Sequence, residues 1–208
     1  MTNEGLTLTG PIWLMQPIPY FGEELKEGWI YEPKIDGWRM QLIKYADGRT
    51  ECWGRRLERQ PQASRGQPNW TEKLPDIIHL AREILPAGTL LDTELYSSGG
   101  RQFIPSVFAA HRKADPIVFV FDAVFFENTF VGNLPLEQRR SLICGLPFRA
   151  PFYLVDAQPV TDLKTHLAQV LNRGHEGIVV KKLSSPYQVG KEAPIATEHW
   201  RKIKPVSR

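Results

Sequence analysis

The sequence predicts an α+β fold in which antiparallel sheets are flanked by helices. Short strand patterns are numerous, only four helical patterns occur, and hairpin connections outnumber strand-helix-strand units. With 17 prolines and 16 glycines in 208 residues, turns and short strands are favoured over a helical bundle. The 42% hydrophobic and 24% charged residues are ordinary for a globular domain and exclude a disordered tail, a collagen-like rod or a coiled coil.

Strands are predicted where β-branched and aromatic residues cluster or alternate with polar ones. In chain order these segments are 29–39, 39–44, 49–53, 89–96, 117–126, 176–183 and 200–204. Asp47-Gly48 predicts a hairpin turn between strands at 40–45 and 49–53. Residues 1–27 contain Pro11, Pro17 and Pro19 and predict an irregular segment, and the polar stretch 59–69 predicts a surface loop.

Helices are predicted from apolar spacing together with start and stop residues. The four segments are 74–85 with Pro75 in its first turn, 105–111, the stretch opened by Leu134-Pro135 and closed by Gly145, and the stretch capped by Thr161 and stopped by Gly174.

Several classes of protein and site are disfavoured. No apolar window approaches the length of a membrane span, and the N-terminus lacks a secretory signal pattern. Cys52 and Cys144 predict reduced thiols in an intracellular protein, with a disulfide as the alternative. The five histidines have no ligand spacing, so no zinc site is predicted.

The positive charge is concentrated in two clusters, although the net charge is only +3. Seven Lys or Arg against two Glu occupy 181–208, and Arg55, Arg56, Arg59 and Arg65 form the second cluster. Two interpretations stay open: solvated surface faces, or binding of a phosphate-bearing partner.

The segment Glu32-Pro33-Lys34-Ile35-Asp36-Gly37-Trp38-Arg39 contains the pattern K-x-D-G-x-R. On a strand, Glu32, Lys34 and Asp36 would project from one face, and Gly37 would permit a turn or the close approach of a ligand. The alternative is an ordinary surface ion pair. A nucleophilic lysine must be neutral, which neighbouring cations such as Arg39 and the C-terminal lysines would favour.

Five further segments come after this one in the chain. Together with it, they resemble the motifs of the covalent nucleotidyltransferases: DNA ligases, RNA ligases and messenger-RNA capping enzymes. The segments are Gly54-Arg55-Arg56, Leu91-Asp92-Thr93-Glu94-Leu95 with Thr93 where the family has glycine, Val120-Phe121-Asp122, Glu176-Gly177-Ile178-Val179-Val180-Lys181 and Trp200-Arg201-Lys202-Ile203-Lys204-Pro205. The residues of these motifs are most similar to those of bacterial and phage ATP-dependent DNA ligases. This resemblance implies a nucleotidyltransferase (ATP-grasp-like) domain with a nucleotide cleft between its sheets.

The resemblance also implies the catalytic roles. Lys34 would attack the α-phosphorus of ATP and form lysyl-AMP, with release of pyrophosphate. Lys202 and Lys204, two residues apart on one face of a strand, would be directed at the α-phosphate. Glu176 would bind a divalent cation, Mg²⁺ or Mn²⁺, and Glu94 would serve the ribose or the metal.

The remaining site residues would bind the nucleotide and the DNA. Phe121 would stack on adenine with Val179 on its opposite face, Glu32 would accept from the adenine amino group and favour ATP, and Ile35 joins this site. Arg39 and Arg55 would bind the ribose and the 5′-phosphate of nicked DNA. The alternatives are a core role for Phe121, a strand-edge charge for Glu32 and ordinary surface charges for the arginines.

The sequence therefore predicts that residues 1–208 form the single adenylation domain of an ATP-dependent DNA ligase, without an oligonucleotide-binding (OB) barrel. The expected partner is nicked duplex DNA with 5′-phosphate and 3′-hydroxyl ends, in replication, repair or recombination. We expect a monomer in the cytoplasm near the nucleoid, without membrane contact. The alternatives are an RNA ligase, a capping guanylyltransferase or a non-catalytic nucleic-acid-binding module that retains the fold.

Overall fold

A computed structural model describes residues 5–25, 27–55 and 66–205. The strands in these ranges are β1 Gln16–Pro19, β2 Trp29–Pro33, β3 Trp38–Lys44, β4 Thr50–Gly54, β5 Thr89–Ser97, β6 Pro116–Phe126, β7 Thr129–Phe130, β8 Phe152–Leu154, β9 Gln158–Pro159, β10 Ile178–Lys182 and β11 Ala196–Ile203. The α-helices are α1 Pro75–Ile84, α2 Ile104–Val107, α3 Leu136–Cys144 and α4 Leu163–Asn172. Short 3₁₀ turns lie at Thr71–Lys73 and Arg101–Phe103.

The strands form two sheets, and most neighbouring strands are antiparallel. One sheet has the order β1-β11-β10-β2-β9, and the other has the order β4-β3-β5-β6-β7 with β8 added beside β6. The predicted α+β class with antiparallel sheets is confirmed. Two pairings, β1 with β11 and β8 with β6, are parallel and were not anticipated.

Strand β3 separates two hydrophobic cores because its residues alternate between faces. Met40 and Leu42 point into a core shared with α1, α2 and α3. Ile43 points the other way, into a core between the two sheets that includes Trp200 of β11. Arg39 shares the face of Ile43, so the sheet directs it toward the opposite sheet.

The hairpin and the longer helices agree with the sequence analysis. The Gly48 amide donates to the Tyr45 carbonyl at 3.0 Å, and Lys44 lies opposite Thr50 across the turn. Helix α1 starts at Pro75, and α3 ends with Gly145 as its C-cap. These local signals were sufficient because each turn or cap is stabilised by residues close in sequence.

Several local predictions differ from the structure for identifiable reasons. The segment predicted to be irregular contains β1, whose prolines are tolerated because β1 lies at a sheet edge. Asp162, not Thr161, caps α4, accepting a hydrogen bond from the Lys164 amide at 3.1 Å. The short strands β7, β8 and β9 were not predicted, since two or three residues carry too little periodicity.

The K-x-D-G-x-R motif also departs from the predicted geometry. Strand β2 ends at Pro33, so Lys34 and Asp36 lie in the loop that joins the two sheets rather than on one strand face. At the other end of the chain, β11 ends at Ile203, so Lys204 lies beyond the strand that holds Lys202.

Two glycines, one in this loop and one just before β10, allow the backbone to approach neighbouring strands closely. A Cβ at Gly37 would overlap the Leu95 carbonyl oxygen on β5, and a Cβ at Gly177 would overlap the Ile203 carbonyl oxygen on β11. The Lys34 amide donates to the Gly177 carbonyl at 2.8 Å. Gly37 therefore serves a close approach of protein backbone, whereas the sequence suggested a turn or the close approach of a ligand.

Two further sequence predictions concern surface and membrane. Of the second basic cluster, only Arg55 is described; Arg56, Arg59 and Arg65 lie outside the described residues, as does most of the predicted loop at 59–69. No helix within the described ranges has the length and hydrophobicity needed to cross a membrane.

Breaking the buried ion pair behind β6 should strongly destabilise the fold. Arg139 of α3 donates to both Asp122 carboxylate oxygens at 2.8 Å, and both side chains are fully buried. Arg139→Met leaves the Asp122 charge unpaired, so we expect a loss of about 3–5 kcal/mol in the free energy of unfolding, measured by urea denaturation.

Arg149→Met is the matched control, because Arg149 pairs with Glu83 on the surface. An exposed pair contributes at most about 1 kcal/mol. Equally small losses in both variants would contradict the structural role of the Arg139 pair.

Candidate active site

A cavity of about 670 Å³ opens between the two sheets. Every site residue that the sequence predicts lies on its wall: Glu32, Lys34, Ile35, Arg39, Arg55, Glu94, Phe121, Glu176, Val179, Lys202 and Lys204. These residues come from segments spread over most of the chain, so the fold has brought the separate motifs to one place.

One wall of the cavity is a row of residues from the five-stranded sheet. Val179 of β10 lies opposite Glu32 of β2 on one side and Lys202 of β11 on the other. Directly opposed residues share a face of an antiparallel sheet, so all three face the cavity. One step further along the same face, Lys181 lies opposite Trp200.

The other wall comes from the six-stranded sheet and is shaped by a β-bulge. Asp92 pairs with Asp122 while the next residue, Thr93, pairs with Val120, which leaves Phe121 as the extra residue on β6. A bulge redirects the side chain that it contains. Phe121 thus lies half-buried on the cavity wall, with the Arg39 guanidinium carbon 5.3 Å from its ring centroid.

Lys34 lies at the junction of three segments. Its Nζ forms an ion pair with one Glu176 carboxylate oxygen, and the other oxygen pairs with Lys204 Nζ. The side chains of Lys34 and Glu176 are 23% and 24% exposed, so both are accessible from the cavity. Burial raises the pKa of Glu176, but the hydrogen bonds from Lys204 and Lys34 outweigh it and hold the pKa below its usual value.

The surroundings of Lys34 differ in one respect from the sequence-based expectation. Cations were expected beside its amine, whereas its direct partner is the Glu176 carboxylate. Lys204 contacts the same carboxylate, and Arg39 turns away to Asp92.

Arg39 is held by a buried network that sequence reasoning missed. Its Nε donates to Asp92 Oδ1 at 2.8 Å, and its Nη2 donates to Asp92 Oδ2 and to the Met15 carbonyl. The Tyr187 hydroxyl donates to Asp92 Oδ2 at 2.6 Å. Burial and the neighbouring Asp92 raise the pKa of Tyr187 well above its usual value, so it stays a donor. The Asp-Thr-Glu motif contained a signal for Asp92, but nothing indicated Tyr187.

Glu32 is a buried acid rather than a strand-edge charge. Its Oε1 accepts from Arg140 of α3 at 2.6 Å, and its Oε2 pairs with Lys181. The Lys181 Nζ also lies 4.6 Å from the Phe121 ring centroid and 4.2 Å from that of Trp200. The cavity wall around Glu32 is therefore fixed by two cations that the sequence analysis did not assign.

Glu94 is the second acid with an altered environment. Burial raises its pKa to about 7, against the opposing influence of Arg39 and Lys34. In the described ranges no three His, Cys, Asp or Glu side chains form a metal-binding group by themselves. Mg²⁺ commonly uses one or two carboxylates and completes its shell with water and substrate phosphates. Glu176 and Glu94 are two carboxylates that line the cavity, which is the type of donor that this smaller set requires.

Comparison with known proteins gives one family. Residues 15–204 match the family model described as ATP dependent DNA ligase domain. A DNA ligase of Methanoculleus marisnigri is 29% identical over 84% of this chain and 31% of that protein. The SPbeta prophage-derived DNA ligase-like protein LigB of Bacillus subtilis is 27% identical over 85% of this chain and 61% of that protein. The chain thus spans less than two thirds of either relative.

The fold has counterparts among solved structures. The mycobacterial DNA ligase D complexed with ATP and MES superposes with a TM-score of 0.66 at 19% identity, over 92% of this chain and 60% of that one. This likeness confirms the predicted nucleotidyltransferase fold.

The raised pKa of Glu94 predicts a pH-dependent stability. The folded state holds this proton up to about pH 7, whereas the unfolded state releases it near the ordinary value of 4.5. The contribution of Glu94 to stability therefore falls as pH rises between these values. Glu94→Gln should remove this fall, so urea denaturation at about pH 5 and pH 8 should show a smaller decrease for the variant than for the wild type. Parallel decreases in the two proteins would refute the assignment.

Proposed function

Because this chain belongs to the ATP-dependent DNA ligase domain family, we propose that it is the adenylation domain of a DNA ligase and carries AMP on Lys34. The observation that carries this proposal is the meeting of Lys34, Glu176 and Lys204 on the wall of a cavity large enough for a nucleotide. The chain spans only part of its curated relatives, so the complete sealing reaction is also a proposal.

In the first step the neutral Lys34 amine attacks the α-phosphorus of ATP. A nitrogen–phosphorus bond forms, the bond from the α-phosphorus to the bridging oxygen breaks, the amine loses a proton, and pyrophosphate leaves. Negative charge builds on the phosphate oxygens during this step. Lys202 and Lys204 line the cavity and would stabilise that charge from fixed positions.

The base would lie between the two walls. Phe121 and Val179 come from opposite sheets and would flank the adenine ring, with Ile35 lining the same space. Glu32 is already held by Arg140 and Lys181, yet a carboxylate has about four acceptor sites and can also accept from the adenine amino group. Arg55 and Arg39 would add positive charge for the ribose and the 5′-phosphate.

Glu176 and Glu94 are the proposed ligands of a divalent cation, Mg²⁺ or Mn²⁺. When bound, such a cation neutralises phosphate charge and polarises the phosphoryl group. Glu176 would then exchange at least one of its lysine partners for the metal.

In the second step an oxygen of the 5′-phosphate of nicked duplex DNA attacks the phosphorus of lysyl-AMP, the nitrogen–phosphorus bond breaks, and the Lys34 amine leaves and regains a proton. The 3′-hydroxyl then attacks that phosphate, AMP leaves, and the strand is sealed. RNA ligation is less well supported, since the curated relatives described above are named DNA ligases or DNA ligase-like. A non-catalytic nucleic-acid-binding module would have no reason to keep Lys34, Glu176, Lys202 and Lys204 together. A monomeric state and a cytoplasmic, nucleoid-associated location remain proposals.

Incubation with α-labelled ATP and Mg²⁺ tests the nucleophile. We expect the wild type to retain label covalently and Lys34→Ala to lose it entirely, because the substitution removes the amine that would bond to the α-phosphorus, while Lys204 contacts the other oxygen of Glu176. Lys164→Ala is the control, since Lys164 lies on the exposed side of α4 away from the cavity. Label retained by Lys34→Ala would remove Lys34 from the nucleophile role, and label from GTP at the same yield would exclude an adenylation-specific site.

Replacing Glu176 tests the metal assignment. Glu176→Gln keeps the shape of the side chain but removes its charge, so the Mg²⁺ concentration for half-maximal labelling should rise about tenfold or more. Glu137→Gln, on the exposed side of α3, should leave it unchanged. If the Mg²⁺ dependence of Glu176→Gln matched that of the wild type, the metal would have to be bound elsewhere.

A further inference from the structure

Five residues that line the cavity have no role in the proposed nucleotide site: Asp36, Trp38, Pro68, Trp70 and Arg101. Together with Arg55, which is also proposed to bind the ribose or the 5′-phosphate, we call them the outer arm of the cavity. Trp38 begins β3 and precedes Arg39, so the two side chains lie on opposite faces of the sheet. Arg39 faces Phe121 and the proposed adenine site, whereas Trp38 lies on the other side of the strand, in this outer arm.

Trp38 is a large aromatic side chain that the fold leaves exposed. Met40 and Leu42, which follow it on the same face, are fully buried, but Trp38 is 36% exposed. Its ring stacks on Phe108 with centroids 5.7 Å apart, and Trp70 lies 6.0 Å away. Trp70 and Phe108 in turn contact each other at 5.1 Å. The indole is thus held by two supporting rings while part of its surface stays open to the cavity.

The charges beside Trp38 favour an anionic ligand. Arg101 pairs with Asp36, but both side chains are substantially exposed, at 48% and 39%. An exposed pair of this kind is weak, so Arg101 can exchange Asp36 for a phosphate at little cost. Arg55 lines the same arm. Aromatic rings interleaved with arginines are the pattern that binds nucleic acid strands by stacking and phosphate contact.

The position of the outer arm points to one part of the DNA. Trp38 follows Lys34 by four residues, so their backbones lie within about 14 Å. The phosphate that accepts AMP must come to Lys34. At a nick the terminal base is no longer joined covalently to its neighbour on one side, so an aromatic ring can replace that stacking partner.

We propose that Trp38 stacks on the terminal nucleotide that carries the 5′-phosphate, with Arg55 and Arg101 binding the adjoining phosphates. This inference rests on the proposed function, since it places the strand end beside Lys34. It adds a binding surface for that strand end, and with it a residue that positions the acceptor for AMP transfer.

Fluorescence anisotropy in the presence of EDTA tests the stacking without any chemistry. The probes are two duplexes with a single nick and a 5′-phosphate, one ordinary and one with an abasic terminal nucleotide at that phosphate. Trp38→Ala should weaken binding of the ordinary duplex about tenfold, in line with the loss of one stacked base. The abasic change should weaken wild-type binding by a similar factor and Trp38→Ala binding hardly at all.

Two further variants serve as controls for this test. Trp38→Phe retains an aromatic face and should keep most of the affinity, even if Trp38→Ala is less stable. Phe21→Ala removes a more exposed aromatic side chain that does not line the cavity, and it should change affinity less than twofold.

If the abasic change and Trp38→Ala each lowered the affinity for the duplex by a factor that did not depend on the other, the inference would be overturned. So would unchanged affinity in Trp38→Ala, or no measurable binding by the wild type. Labelling with α-labelled ATP on the same preparations tests the proposed function separately. If the protein retains label but the abasic change weakens Trp38→Ala binding as much as wild-type binding, the stacking alone is refuted. If the abasic change affects only the wild type but the protein retains no label, the adenylation is refuted and the binding surface stays supported.

Discussion

The shared contact of Glu176 with Lys34 and Lys204 is the constraint on which the site depends. It joins the loop after β2, the segment before β10 and the chain just beyond β11. The close packing of Gly37 and Gly177 against β5 and β11 brings these segments near enough for the contact to form. Because the same loop connects the two sheets, the position of Lys34 and the width of the cavity are set together.

Buried charges fix both walls behind this contact. Glu32 is held between Arg140 and Lys181 on one wall, and Arg39 is held by Asp92 on the other. Such groups are costly to bury alone, so each is stable only while its partners stay in place. Helix α3 supplies the cation Arg140 to the first wall and Arg139, which pairs with Asp122 of β6, to the second. The wall side chains are therefore held in place by protein partners without any ligand, which favours stabilisation of charge that develops during a reaction.

The sequence predicted the members of the site far better than their contacts. Its short motifs contain the side chains directed into the cavity. Some of them lie at the end of a strand or beside a tight glycine, whereas Glu94 and Phe121 lie within the strands β5 and β6. Arg140 and Tyr187 could not be found in this way, since they reach the site from a helix and a loop with no periodic or motif signal. The predicted strand around Lys34 failed because Pro33 ends the ladder of β2 there. Local sequence patterns were sufficient to predict the hairpin and α1. The parallel pairing of β1 and β8 with their neighbours depends on contacts between residues far apart in sequence, which a short segment does not indicate.

The central claim is that Lys34 becomes the covalent carrier of AMP. Peptide mapping by mass spectrometry, after incubation of the protein with ATP and Mg²⁺, locates the adduct directly. The account predicts a single AMP phosphoramidate on Lys34 Nζ. An adduct on Lys202, Lys204 or any other residue, or an unmodified protein, would contradict it.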